Sequence, residues 1–446
     1  MSQSYDLIVK GGMVYTPGGL QQLDIAIVGN KIAALGQLAS APAAERIDAK
    51  GLTVLPGVVD TQVHFREPGM EHKEDLESGT KAAILGGVTA VCEMPNTSPT
   101  TISATAIRDK LRRAEGRTWC DHAFFVGAAA ENVDRLAELE RLPGVVGVKL
   151  FMGSSTGPLL VEDNATLEAV LRAGNRRMAI HSEDEPRLRA RMALASHGGP
   201  AQHPVWRDAE TARLATERLL RLARKVGRRI HVLHITTADE LPLLAAHRDV
   251  ATVEVTPQHL TLEAPDCYET LGTYAQMNPP IRDAQHRKAL WAAVANGLVD
   301  VIGSDHAPHT KAEKARPYPA SPSGMPGVQT LLPLLLDHMS AGRLSLQRLV
   351  DLTSAGPQRI YGLADRGRIA QGYRADLTLV DLEAHRRIEA SWLASRCGWS
   401  PFEGRYVTGW PMMTILNGKA AMRDGQVIGR PQGKPIRFVE TLAGET

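Results

Sequence analysis

The stretch VVDTQVHFREPG at residues 58–69 sets Asp60, His64 and Arg66 at the end of an apolar, β-branched run closed by Pro68-Gly69, where proline must stop a strand. Such a strand delivers polar groups to a mouth, and in an extended chain His64 and Arg66, two apart, share a face. A single histidine there reads either as a satisfied surface or core residue or as a metal ligand. His181 and His234 end separate apolar runs. Two neutral imidazoles with an oxygen donor between them suit a catalytic zinc, which keeps one position open for water; the alternative for either alone is a buried histidine satisfied by backbone.

Asp305, in GSDHAPH at 303–309, supplies that oxygen. Beside a metal-activated water a carboxylate can accept a proton during attack on a carbonyl and return it to the leaving nitrogen; otherwise it caps the following turn. Lys149 lies inside VVGVKLF, 145–151, where an ammonium is costly unless paired or deprotonated, or unless it snorkels past the strand end. Arg66 has the planar fork that grips a carboxylate bidentately, and Asn96 and His309 can add donors to the same oxygens. Neighbouring Glu67 also offers Arg66 an ordinary surface ion pair. Asn278, ahead of Pro279-Pro280, offers an amide to a substrate ring or serves a turn.

These residues must be collected from distant parts of the chain. Short apolar runs at 58–64, 88–94, 123–126, 145–151, 178–181, 230–235, 252–256 and 299–304 alternate with amphipathic helical stretches such as 104–114 and 238–246. That order argues for a parallel sheet with helices outside. Eight runs are what a (β/α)8 barrel needs. His64, Asn96, Lys149, His181, His234, His259 and Asp305 fall at or just beyond their C-terminal ends, the face on which such barrels build active sites. Residues 5–53 and 366–430 read instead as short β-like runs and turns, with a Gly-Asn turn inside DIAIVGNKIAALG and a hairpin about Asp424-Gly425. The expected class is α/β: a (β/α)8 TIM-like barrel over 54–365 and a small β-sandwich that 1–53 and 366–446 build together.

Composition narrows the function. A chain of 446 residues with 43% hydrophobic and 22% charged residues has ample core for a barrel plus a smaller unit. A formal charge of +2 with both signs interspersed gives no field suited to nucleic acid or an anionic membrane, which leaves a small-molecule substrate. Cys92, Cys120, Cys267 and Cys397 form no CxxC pair, so neither a disulfide framework nor a thiolate zinc site is expected, and a reducing cytoplasm fits. No signal pattern opens MSQSYDLIVK, and no apolar run approaches the roughly 18 residues of a membrane span.

Taken in order, VVDTQVHFREPG, EMPN (93–96), GVKLFMGSSTG (147–157), IHSEDE (180–185), HVLHITT (231–237), EVTPQHL (254–260), QMNPPIR (276–282) and GSDHAPH (303–309) resemble the dihydroorotases of the amidohydrolase superfamily. The likeness runs across about 250 residues and extends to the terminal β segments. It implies a zinc-dependent enzyme that interconverts N-carbamoyl-L-aspartate and L-dihydroorotate in pyrimidine synthesis. His64, Lys149, His181, His234 and Asp305 would then be metal ligands, with Lys149 N6-carboxylated and bridging two metals, and Asp305 the acid/base. Arg66, Asn96, Asn278 and His309 would bind substrate. Dihydroorotases usually carry two histidines one residue apart at the end of the first strand; here Gln62 stands in the first place. Because an amide oxygen is a weak zinc donor, the expectation is one tightly held zinc and a second position weak or empty. The alternatives are a non-catalytic subunit supporting aspartate transcarbamoylase, for which Gln62 argues, and a related cyclic amidase of the allantoinase or hydantoinase type, against which Arg66 argues. A homo-oligomer, and association with aspartate transcarbamoylase, are the expected assemblies.

Overall fold

The structure is a computed structural model that describes residues 4–155 and 157–444. Eight parallel strands, Val58–Val63, Val88–Glu93, Asp121–Gly127, Val145–Phe151, Met178–His181, Ile230–Val232, Ala251–Val255 and Val301–Ile302, pair in chain order. A parallel bridge between Val63 and His306 joins the first strand to the chain just past the eighth, with the His64 N–H donating to the His306 carbonyl at 2.7 Å. The result is the expected TIM-like barrel. Both faces of every strand are covered, which is why each read as a near-continuous apolar run.

Helices Leu76–Leu85, Ala104–Ala114, Asn164–Arg172, Ala209–Val226, Ala284–Ala295 and Leu331–Ser340 alternate with the strands. Their starts are written in the sequence. Asp75, Ser103, Asp163, Asp208 and Asp283 each accept a backbone N–H of the first turn, the role for which short polar side chains are preferred. Inside the barrel, Val59, Ala90, Ala123, Phe125, Val146 and Ala179 share one apolar cluster with Ile436 and Phe438. The Ile436 N–H donates to the His122 carbonyl near the start of the third strand, so this late segment closes the N-terminal mouth.

The chain ends form two further sheets. One has seven strands and takes Met13–Thr16, Gly19–Gln22 and Thr53–Pro56 from the early chain and Leu377–Arg387, Tyr406–Leu416, Lys419–Arg423 and Gln426–Val427 from the late chain. The other has four, Tyr5–Lys10, Asp24–Val28, Lys31–Gly36 and Ala43–Asp48. Ile25, Ile27 and Ile47 meet Val54, Leu377 and Ile415 in one core between the sheets, a small β-sandwich. Asp424 and Gly425, at φ 50° and 77°, make the late hairpin turn, which requires left-handed backbone at both positions. Arg366 fastens this sandwich to the barrel by pairing with Asp121 at the start of the third barrel strand and with Asp376.

Two strands are shorter than the apolar runs suggested. The regular strand of the run at 230–235 ends at Val232, although Leu233 and Ile235 still donate to the Ile180 and Glu254 carbonyls, and that of 299–304 ends at Ile302. Shortly beyond these ends the backbone turns left-handed, at His234 (φ 38°) and Asp305 (φ 45°). His64 and Arg66 likewise lie past the end of the first strand, and Arg66 has φ 64°, so the two do not share a strand face. Among the described residues no helix is long and apolar enough to cross a membrane.

Candidate active site

Six described non-glycine residues have positive φ. Asp365, Asn417 and Asp424 are of the types that visit this region readily. The other three, Arg66, His234 and Asp305, line a single cavity at the C-terminal end of the barrel. Aspartate and histidine also visit this region readily, but a bulky arginine held in it costs of order 1–3 kcal/mol and persists where the surroundings over-determine it, typically at functional sites. The cavity is narrow, with its wall also including Gln62, His64, Asn96, Lys149, His181 and Asn278. Two wider depressions open elsewhere on the surface, but neither gathers buried titratable groups.

Most of these side chains are held by hydrogen bonds. His64 places Nδ1 2.6 Å from Asn96 Oδ1 and Nε2 3.2 Å from Asp305 Oδ1. Gln62 donates from Nε2 to the same Asp305 oxygen at 3.0 Å, and its own Oε1 is buried with no hydrogen-bond partner among the described residues. His181 sets Nδ1 3.0 Å from His234 Nε2, while its Nε2 donates to Glu183 at 2.9 Å. Glu183 in turn pairs with buried Arg207 at 3.0 Å. This carboxylate therefore fixes which His181 nitrogen carries the proton and leaves the Nδ1 lone pair facing His234. The His234 Nδ1 has no hydrogen-bond partner.

Lys149 is fully buried, with Nζ 4.5 Å from the Phe151 ring centroid and no hydrogen-bond partner among the described residues. It does not snorkel. Burial pushes its amine down to about 7, with Asp305 and Glu254 pulling the other way. Glu254, deeper in the barrel, accepts from Thr61 Oγ1 at 2.7 Å, and burial raises its carboxyl to about 8. Asp60 is raised to about 7 by the same cause and accepts from the Ser304 N–H at 2.9 Å; it supports the cavity from outside.

Arg66 is 1% exposed, donates from Nε to the Pro308 carbonyl at 3.1 Å, and leaves Nη1 without a partner among the described residues. The surface ion pair with Glu67 is not made, because Glu67 pairs with Arg117 at 2.8 Å. His309 stands behind Arg66 and outside the cavity wall. Its Nε2 donates to the Ser323 carbonyl at 3.0 Å and its Nδ1 accepts from Lys73 at 3.1 Å, so Arg66 Nη2, 3.3 Å away, is a packing neighbour. Asn278 faces the cavity, with Oδ1 3.0 Å from His203 Nε2. Of the residues singled out near strand ends, His259 is not in the wall: its ring is taken up by Thr256 Oγ1 at 2.7 Å and the Pro279 carbonyl at 3.0 Å.

Among the described residues no three His, Cys, Asp or Glu side chains already stand at metal-ligand spacing. The donor chemistry nevertheless fits a cation. Burial lowers the pKa of His64, His181 and His234, so all three imidazoles are neutral near pH 7. With Nδ1 donating to Asn96, His64 turns a lone pair toward the Asp305 carboxylate, and two acceptors this close call for a proton or a cation between them. At the His181–His234 approach the His234 Nε2–H donates to the His181 Nδ1 lone pair, which a bound cation would replace, and the Lys149 amine and Gln62 carbonyl, without partners among the described residues, lie in the same wall.

Several participants were not singled out from sequence. Glu183 lies two residues past His181, inside IHSEDE, but nothing local announces Arg207, Lys73 or Glu254 as its neighbours' supports. Ser323 and Gly324 come from the proline-rich segment 311–324 just after GSDHAPH. In the fold its end forms cavity wall, with the Gly324 N–H donating to the Gln276 carbonyl at 2.8 Å and buried Lys314 donating to the Pro322 carbonyl at 2.9 Å.

A (β/α)8 barrel carrying buried histidines, a lysine and an aspartate at its C-terminal mouth, with a sandwich from both chain ends, defines the class of barrel hydrolases. The chain belongs to the amidohydrolase family, whose model matches residues 53–421. Dihydroorotase of Halobacterium salinarum is 37% identical over 409 residues, 88% of this chain and 95% of that protein. Dihydroorotase of Methanosarcina mazei is 33% identical over 441 residues, 96% of each. Among solved structures, the L-hydantoinase (dihydropyrimidinase) of Arthrobacter aurescens superposes with TM-score 0.92 at 29% identity, covering 97% of this chain and 100% of that one. The dihydropyrimidinase of Brevibacillus agri does so with TM-score 0.89 at 28% identity, covering 96% and 97%.

Proposed function

We propose that the chain is a dihydroorotase, catalysing the reversible cyclisation of N-carbamoyl-L-aspartate to L-dihydroorotate. The sequence relatives carry that name, while the structural neighbours are hydantoinases. The residue that decides between them is Arg66. A guanidinium on the cavity wall with Nη1 unpaired is a costly thing to bury, and dihydroorotate carries a carboxylate to pair with it whereas unsubstituted hydantoin and dihydrouracil do not. Burial lowers the Arg66 pKa only to about 10, so the group stays charged at neutral pH.

The family is generally metal-dependent, and our finer reading assigns His181, His234 and carboxylated Lys149 to one zinc, with His64 and Asp305 beside a second, weaker position. A bound divalent metal supplies polarisation of the ring carbonyl and acidity to the attacking water. The chain supplies the rest. Asp305 accepts the water proton at its carboxylate and passes it to the ring nitrogen as the C–N bond breaks. Gln62 and His64 hold Asp305 Oδ1 in place. Arg66 orients the substrate through its carboxylate, with Asn96 and Asn278 beside the ring and His309 bracing Arg66 from behind. A lysine amine held near 7 is partly neutral at physiological pH, the form that attacks CO2. A reducing cytoplasm, a homo-oligomer and contact with aspartate transcarbamoylase belong to the same reading; size measurement with and without added transcarbamoylase tests the last two.

The test compares turnover of dihydroorotate, hydantoin and dihydrouracil by the purified chain, with its metal content measured alongside. Arg66→Ala is expected to raise KM for dihydroorotate about 10- to 150-fold with metal content unchanged, the value of one charge-assisted contact of roughly 1.5–3 kcal/mol. Faster turnover of hydantoin, with KM indifferent to Arg66, would move the assignment to a hydantoinase. Inert, metal-free protein would leave the non-catalytic subunit.

A further inference from the structure

The acid/base assigned above sits on left-handed backbone (φ 45°), and the residue after it is pinned from every side. His306 accepts at Nδ1 from two backbone N–H groups, Gly327 at 3.1 Å and Val328 at 3.3 Å. Nδ1 is therefore unprotonated and the proton lies on Nε2, which donates to Glu74 at 3.3 Å. The ring meets Phe65 edge-on, with centroids 5.5 Å apart. Along the main chain, the His306 N–H donates to Ser304 Oγ at 3.1 Å and its carbonyl accepts from His64 at 2.7 Å. Glu74 is itself fully buried and accepts four hydrogen bonds: Oε2 takes His306 and Ser395, and Oε1 takes Ser78 and the Arg396 N–H at 3.1 Å. Ser395 and Arg396 come from the late chain, so one carboxylate ties the barrel's first loop, the loop after its last strand and the late segment together.

We infer that Glu74 is a positioning residue that acts through His306 to hold Asp305 in its left-handed backbone conformation, and so keeps the acid/base carboxylate aimed into the cavity. Neither Glu74 nor His306 lines the cavity. The inference rests on the acid/base role given to Asp305. All four groups facing Glu74 donate to it, and two of them, the His306 Nε2–H and the Arg396 N–H, cannot turn to accept. Glutamine at this position must therefore set its amide N–H2 against one of them, whichever way it flips, at nearly unchanged size.

Glu74→Gln is expected to lower kcat about 10- to 100-fold, the usual effect of removing a support behind a ligand or catalytic group, with KM for dihydroorotate within threefold of wild type and metal content unchanged. Backbone amides of 303–309 should exchange with deuterium at least tenfold faster, while those of the opposite barrel strand at 145–151 keep the wild-type rate. His306→Asn should give the same pattern, and the double variant should lose little more than either single one. Unchanged kcat, or loss of rate with uniformly faster exchange across the barrel, would overturn the proposal. If the wild type fails to turn over dihydroorotate, the function assignment falls, and the exchange comparison still decides whether Glu74 holds the 305 backbone.

Discussion

At the scale of single residues, Lys149 and Gln62 carry the sharpest consequences. Lys149 is buried with no hydrogen-bond partner and an amine held near 7, a state that stabilises nothing by itself. Lys149→Ala is expected to remove most bound metal and at least 99% of the rate. Adding short carboxylic acids should restore part of both by supplying the missing oxygens, and retention of full metal by the variant, read as equivalents per chain, would exclude lysine as a ligand. Gln62 is already committed: its Nε2 holds Asp305, which leaves only a weak amide oxygen for a cation. After exhaustive dialysis the wild type should retain near one equivalent of zinc per chain, and Gln62→His should retain more. Two equivalents in the wild type would show that another group completes the second position. Residue types and their place at strand ends were enough to nominate seven of the cavity's side chains. They were not enough to show that His259 is spent on the chain around it or that the His309 ring bonds the Ser323 carbonyl, because that depends on which backbone carbonyl lies opposite each ring.

At the scale of elements, the barrel strands were legible because a strand covered on both faces shows itself as an unbroken apolar run. Their ends were not. The regular strands end two or three residues early at Val232 and Ile302, ahead of turns centred on His234 and Asp305 that no apolar pattern encodes. Helix starts were legible in a different way, through single capping residues. Asp208 begins Ala209–Val226 by accepting the Thr211 N–H at 2.9 Å, and it also pairs with Arg187 at 2.5 Å. Burial alone would raise its carboxyl; the bonds from Arg187 and Thr211 outweigh it and hold the pKa at about 2, below the ordinary 3.8. A depressed carboxylate stabilises the fold above its unfolded pKa and loses that contribution as pH falls through the folded value. Asp208→Ala should therefore cost about 1–2 kcal/mol at pH 7, and the gap between variant and wild type should narrow steadily from pH 4 to pH 2. Urea unfolding across that range measures it, and a gap constant with pH would assign the loss to packing instead.

At the scale of the whole molecule, the division into a barrel and a flanking sandwich followed from a change of period along the chain, but the pairing inside the sandwich could not, since strands more than three hundred residues apart leave no mark on each other's sequence. Thr53–Pro56 is flanked by Met13–Thr16 on one side and by Leu377–Arg387 on the other. That register has a consequence for the order of events on the ribosome. At roughly 5–20 residues per second, the early strand waits on the order of 15–60 s with one edge open, directly ahead of the first barrel strand, while the whole barrel is being made. A nascent chain stalled at residue 376 should be cut by protease within 5–56, whereas release of the full chain should protect the same stretch. Equal protection in both would mean that the early strands find another partner. The barrel is thus translated between two halves of a clasp, the second of which arrives last.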